Sequence, residues 1–163
     1  MNGKDQADSF VDYVNQHGGN QAGDLLPVVD LEWDVACQTC ADQWKANKRT
    51  PTEIVQTTLN FLAEVKARWG RTPAIYTNKV FLSDNKVTPT LITKLTQGHK
   101  VWIFDLDSHD RSVELPNPAN NLDHVLWQFT WTAKLTGPYA QSFDANVFKG
   151  TPDEFNAALA SPD

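Results

Sequence analysis

Two carboxylates close an otherwise apolar stretch, Leu26-Pro27-Val28-Val29-Asp30-Leu31-Glu32-Trp33-Asp34. On an extended strand, alternation places Val28, Asp30 and Glu32 on one face. If that strand belongs to a parallel sheet or barrel, its carboxyl end is where such folds place ligands, so the two acids would meet in the mouth of a site. Like charges that close do not both ionise easily, and burial raises the pKa of whichever is less solvated. One then acts as a proton donor while the other stays anionic, the division of labour that glycoside hydrolysis requires. Two other readings of the same residues stand beside this one. The acids could do no more than solvate a strand end, or they could hold magnesium or calcium as hard oxygen ligands. Nothing nearby in the sequence supplies further ligands, so no metal or other cofactor is expected.

The elements that would carry this pair are marked by their punctuation. Ala7, Phe10, Val11 and Val14 recur at helical spacing before His17-Gly18-Gly19-Asn20, predicting a helix over residues 4–17. Leu25 to Trp33 reads as a buried strand. Three Thr-Pro pairs open later helices, because Thr offers a capping oxygen and Pro fits the first helical position. Thr50-Pro51-Thr52-Glu53 is a capping box whose helix carries Ile54, Phe61, Leu62, Val65 and Trp69 up to Gly70. Thr88-Pro89 starts a shorter helix, and Thr151-Pro152-Asp153-Glu154 starts the last. Strands are predicted at Pro73 to Asn78, Lys100 to Leu106, His124 to Trp131 and Phe143 to Phe148. The order is α-β-α-β-α-β-β-β-α, which implies a mostly parallel sheet with helical crossovers and a less regular closure where the helices drop out.

Composition narrows the function classes. At 163 residues, 40% hydrophobic and 21% charged, the chain fits one soluble globular domain. A formal net charge of -6 disfavours a polyphosphate partner, so no nucleic acid is expected. No apolar run approaches the roughly 20 residues that span a bilayer, and Met1 to Asn20 lacks the layout of a secretory signal. The two cysteines, Cys37 and Cys40, exclude a disulfide-rich scaffold. Lying among polar residues rather than between a strand and a helix, they suit a local disulfide or two idle thiols better than redox catalysis or metal binding.

The Asp30-Leu31-Glu32 tripeptide is followed by Ala74-Ile75-Tyr76-Thr77-Asn78, Val101-Trp102-Ile103, Leu126-Trp127-Gln128-Phe129-Thr130 and Asp144-Ala145-Asn146-Val147-Phe148. In order and in kind, these resemble the motifs of the glycoside hydrolase family 25 lysozymes, over essentially the whole chain. The tripeptide alone is a weak signal, whereas five motifs in order with helices between them are specific. The resemblance implies a single catalytic domain over residues 1–163, an α/β fold of the TIM-like (β/α) barrel type that is here partial, and cleavage of the β-1,4 bond between N-acetylmuramic acid and N-acetylglucosamine. Peptidoglycan glycan strands would be the partner, met outside the cytoplasm on the bacterial cell wall. Glu32 matches the family's general acid. Asp30 matches the carboxylate that stabilises the cationic intermediate, helped by the substrate's acetamido group. Asp144 matches the last acidic residue, which orders the floor of the site, and Tyr76 the tyrosine on the reacting sugar. Substrate contacts are expected from Trp33, Tyr76, Asn78, Asp105, Trp127 and Gln128.

Elementary chemistry agrees with those roles. An oxocarbenium-like transition state needs an acid on the leaving oxygen and a negative charge by the anomeric carbon, and aromatic faces suit the apolar faces of sugars. Trp33, Trp102, Trp127 and Trp131 are the candidate platforms. Because large aromatics usually serve the core, about two of them are expected to touch sugar. His109 and His124 read as surface or loop residues.

The chain departs from the family in two places. Phe104-Asp105-Leu106-Asp107 stands where the family often has an aromatic, and Asp105 would compensate by hydrogen bonding. The family's opening strands, with a Gly-Ile-Asp-type motif that supplies another aspartate, have no counterpart before residue 25. That would leave the Leu25 to Trp33 strand as an open edge, so a homodimer, strand exchange or association with a missing N-terminal segment is expected. A catalytically incomplete peptidoglycan-binding or interaction module is the alternative to an enzyme. A chitinase-like barrel is disfavoured, because Val28 stands where such barrels want a further aspartate.

Overall fold

A computed structural model describes residues 2–33, 49–106, 122–135 and 141–160. Over these residues the chain forms α1 (Gly3–Gln16), β1 (Val28–Leu31), α2 (Pro51–Trp69), β2 (Ala74–Asn78), α3 (Lys79–Asp84), α4 (Pro89–Thr96), β3 (Val101–Phe104), β4 (Leu126–Ala133), β5 (Phe143–Phe148) and α5 (Pro152–Leu159). The strands make one sheet in the order β1-β2-β3-β4-β5, parallel as far as β4 and antiparallel between β4 and β5. The expected alternation of strands and helices, and the loss of helices toward the end, both follow from this topology.

The Thr-Pro signals act as anticipated. Thr50 and Thr151 each cap a helix through a reciprocal box with the glutamate three residues on, and Thr88 caps α4. Gly70 ends α2 in the left-handed conformation, with φ of 70°. One helix, α3, has no counterpart among the expected elements. It starts on the last residue of β2, where Asn78 accepts a bond from the Phe81 N–H at 2.7 Å.

The first strand is shorter than Leu25 to Trp33. Pro27 has no N–H for a ladder, although its carbonyl still accepts from Ala74 at 2.8 Å. Leu25 instead bridges antiparallel to Ala160, and the Leu26 N–H donates to the Leu159 carbonyl at 2.7 Å, so the end of α5 is tied beneath the sheet. The third strand also stops early, at Phe104, whereas the fourth runs two residues past Trp131.

Helices cover one face of the sheet. Leu31 and Ile75 pack with Ile54, Val55, Leu62, Phe81 and Leu82 in the main core, and Ala7 and Val11 of α1 lock onto Phe61 and Val65 of α2. Gly3 permits that close helix contact, since a Cβ there would collide with the Thr57 carbonyl. On the opposite face α5 packs only near the strand beginnings, where Phe155 meets Phe148 at 5.3 Å and Leu159 lines an apolar cavity with Val28, Trp102 and Leu126, and among the described residues β1 is an outer strand.

Candidate active site

Register assigns the open face. Asp30 pairs with Tyr76, Tyr76 with Trp102, Trp102 with Leu126, and Leu126 with Phe148. Asn78 pairs with Phe104, Phe104 with Gln128, and Gln128 with Asn146. Alternation therefore sets Asp30, Tyr76, Asn78, Trp102, Phe104, Gln128 and Asn146 on one surface, with Glu32 continuing the line of Asp30. The parallel strands all end at one rim. Because β5 runs the other way, its beginning reaches the same rim, and this brings Asp144 there from the far end of the sequence.

The electrostatics show how tightly these groups converge. Burial raises the Glu32 pKa first, the charge of Asp30 raises it further, and Asp144 adds to the effect. The Asn78 side chain, donating to Glu32 Oε2 at 3.4 Å, opposes the shift because it favours the carboxylate. Asp30 is also raised, by desolvation. When Asp30 is ionised, its negative charge helps Glu32 keep its proton. Tyr76 is pushed well up, by burial and then by Glu32, Asp30 and Asp144 in that order, which keeps its hydroxyl protonated as a donor. Asp30, Glu32, Tyr76 and Asp144 are thus one coupled cluster.

Aromatic packing fixes the floor. Tyr76 meets Trp102 edge-on at 5.1 Å between ring centroids, and Trp102 Nε1 donates to Asn146 Oδ1 at 2.8 Å. Asn146 was not among the residues expected from the sequence, although alternation within Asp144-Ala145-Asn146 already sets it on the face of Asp144. A groove of about 170 Å³ flanks the pair along β1, lined by Asp30, Glu32, Gln6, Arg49, Thr57 and Phe81 among others.

Other expected contacts lie elsewhere. Trp33 packs edge-on against Phe81 at 5.3 Å, on the helix side of the sheet. Trp127 is 4% exposed, and its Nε1 donates to the Asp105 carbonyl at 2.9 Å. Both tryptophans occupy odd positions relative to the acid face, so the pleat turns them away from it. Asp105 and Gln128 are buried, Gln128 on the acid face and Asp105 just beyond β3 at its rim. Cys37, Cys40, His109, Asp34 and Asp107 lie outside the described residues. Among the described residues there is no cluster of three or more His, Cys, Asp or Glu that could hold a metal, and no helix is long and apolar enough to cross a membrane.

Comparison with known proteins places this arrangement. A family model described as Glycosyl hydrolases family 25 matches residues 1–138. The bacterial lysozyme from Streptomyces coelicolor is similar in structure, with a TM-score of 0.68 at 22% identity over 97% of this chain and 66% of that one. The Clostridium perfringens spore cortex lytic enzyme SleM gives 0.67 at 24% identity over 93% and 46%. A muramidase from Trichobolus zukalii gives 0.63 at 22% identity over 97% and 66%. At such identities the likeness is one of fold, and the chain spans no more than about two thirds of the length of these three. No curated protein matches the sequence.

Proposed function

The chain belongs to glycosyl hydrolase family 25, and from that footing we propose that it hydrolyses the β-1,4 bond between N-acetylmuramic acid and N-acetylglucosamine in peptidoglycan. The observation that carries the reading is the cluster at the strand ends, in which burial and the charge of Asp30 raise the Glu32 pKa beside Tyr76 and Asp144. Glu32 gives that proton to the glycosidic oxygen as the C–O bond breaks. Positive charge develops on the ring left behind, and Asp30 offsets it from the same face. Water then adds at the anomeric carbon and returns a proton to Glu32. Tyr76 donates a hydrogen bond to the reacting sugar, Trp102 and Asn146 form the floor beneath it, and Asp144 sustains the field that keeps Glu32 protonated. The substrate would be met on the cell wall, outside the cytoplasm.

A second reading has its own observation. The acid pair sits on the outermost strand, with no strand beyond β1 among the described residues. An additional strand, from a second copy or a further segment, would complete the groove there, and without it the chain would bind glycans but not turn them over.

Digestion of purified peptidoglycan by the 163-residue chain, followed by mass spectrometry of the fragments, tests both readings. New reducing N-acetylmuramic acid ends are expected, and they should be missing with Glu32→Gln. A cooperatively melting protein that binds peptidoglycan and releases nothing would favour the binding module.

A further inference from the structure

Trp131 is 51% exposed, unusual for the largest apolar side chain. Its indole lies against the Phe104 ring at 5.2 Å between centroids and 25° between planes. The indole is thus backed by a ring while about half of the residue stays open to solvent. A flat, pre-ordered aromatic surface of this kind can take up a partner with little loss of side-chain freedom.

The position of Trp131 depends on a register shift. Unbroken alternation from Trp127 and Phe129, which meet each other edge-on at 5.9 Å, would send Trp131 to the helix side with them. Between Gln128 and Thr130, and again between Thr130 and Ala133, β4 carries an extra residue opposite β5. Such bulges coil a strand and re-aim its side chains. Here the first of them brings Trp131 onto Phe104, which stands in register with Asn78 on one side and Gln128 on the other, on the same surface as Asp30 and Glu32.

Neighbouring strands lie about 4.8 Å apart, so Phe104 is roughly 10 Å across the sheet from the acid pair and Trp131 stands farther still. The two places are joined by the Tyr76 and Trp102 floor. An open aromatic face matches a pyranose, whose C–H faces are apolar.

We propose that Trp131, backed by Phe104, is a second sugar platform that stacks a ring of the glycan strand more than one residue away from the bond being cleaved. This rests on the glycan reading above and adds a dependence on chain length to it. Short glycans reach only the acid site, whereas longer ones also engage Trp131.

The experiment measures binding by titration calorimetry in a Glu32→Gln background, which removes turnover, using a disaccharide and a hexasaccharide strand prepared from peptidoglycan. Adding Trp131→Ala should weaken hexasaccharide binding roughly tenfold, about 1.4 kcal/mol, while disaccharide affinity and melting temperature stay as they were. Adding Trp131→Phe instead should keep most of the affinity, since a ring remains. Equal hexasaccharide affinity with and without Trp131→Ala overturns the platform and leaves the acid site standing. Concentration-dependent dimerisation abolished by Trp131→Ala also overturns it, in favour of an interface between copies. If the Glu32→Gln chain binds neither strand, the glycan reading itself fails and the platform with it.

Discussion

The two faces of the sheet are made from alternate residues of the same strands, yet they are built to opposite rules. On the helix side, Leu31, Ile75, Thr77, Val101, Ile103 and Trp127 are buried, and the one hydroxyl among them, on Thr77, is satisfied by the Leu31 carbonyl at 2.9 Å. On the open side, Asp30 and Asn146 are exposed and Glu32, Tyr76 and Trp102 are half-buried, with the charges of Asp30 and Asp144 acting on the Glu32 proton and all three carboxylates acting on that of Tyr76. Stability is concentrated on one surface and chemical reactivity on the other, and a single peptide unit separates them. The pleat is what allows a short strand such as β1 to serve both.

The sharpest test of that division is Glu32→Gln. Losing the transferable proton should cut peptidoglycan hydrolysis by about 10²–10⁴-fold, but the fold should not suffer. A carboxyl whose pKa is raised in the folded state contributes stability that is full below its unfolded pKa and is lost as pH rises through the folded value. Above its folded pKa, where it is ionised, Glu32 therefore works against folding, and Glu32→Gln should melt there at the same temperature as the parent or higher, with the advantage fading in acid. A melt that drops sharply at neutral pH would break the comparison.

The converse change belongs on the other surface. Phe81 is fully buried in the main core against Trp33, so Phe81→Ala should cost about 3–5 kcal/mol in urea unfolding. A cost under about 1 kcal/mol would mean that the helix side is not where the stability lies. The smallest effect sharpens the comparison from within the site. Because Asp30 raises the Glu32 pKa, Asp30→Asn should let it fall, moving the alkaline limb of the residual activity to lower pH. A limb that stays in place, followed by activity or by NMR titration of the Glu32 carboxyl, would uncouple the pair.

What could be read from the chain follows from how local each signal is. The capping boxes at Thr50 and Thr151 need only four consecutive residues, and the shared face of Asp30 and Glu32 needs only the period of a strand, so both were legible. The six-residue helix α3 is too short to show an apolar period, and its cap is a strand residue. Trp33 and Trp127 are a different case. The same alternation that puts Glu32 on the open face sends its neighbour Trp33 to the other, against Phe81. Trp131 shows the limit of parity itself, since a register shift between Gln128 and Thr130 that no residue type announces reverses its direction. Nor does the sequence show that the reversal of β5 brings Asp144 beside Glu32, because that proximity is set by strand order.

Asn78 has to meet two demands at once. Its carbonyl oxygen starts α3 by accepting from the Phe81 N–H, and this fixes which way the amide lies, so its NH₂ group must face Glu32. Aspartate would start the helix equally well but has no hydrogen to offer and would bring a fourth negative charge; serine or threonine would cap the turn but fall short of the acid. The vocabulary open to this one position shrinks to a single amide, because the words that suit the helix and the words that suit the proton overlap in only one place.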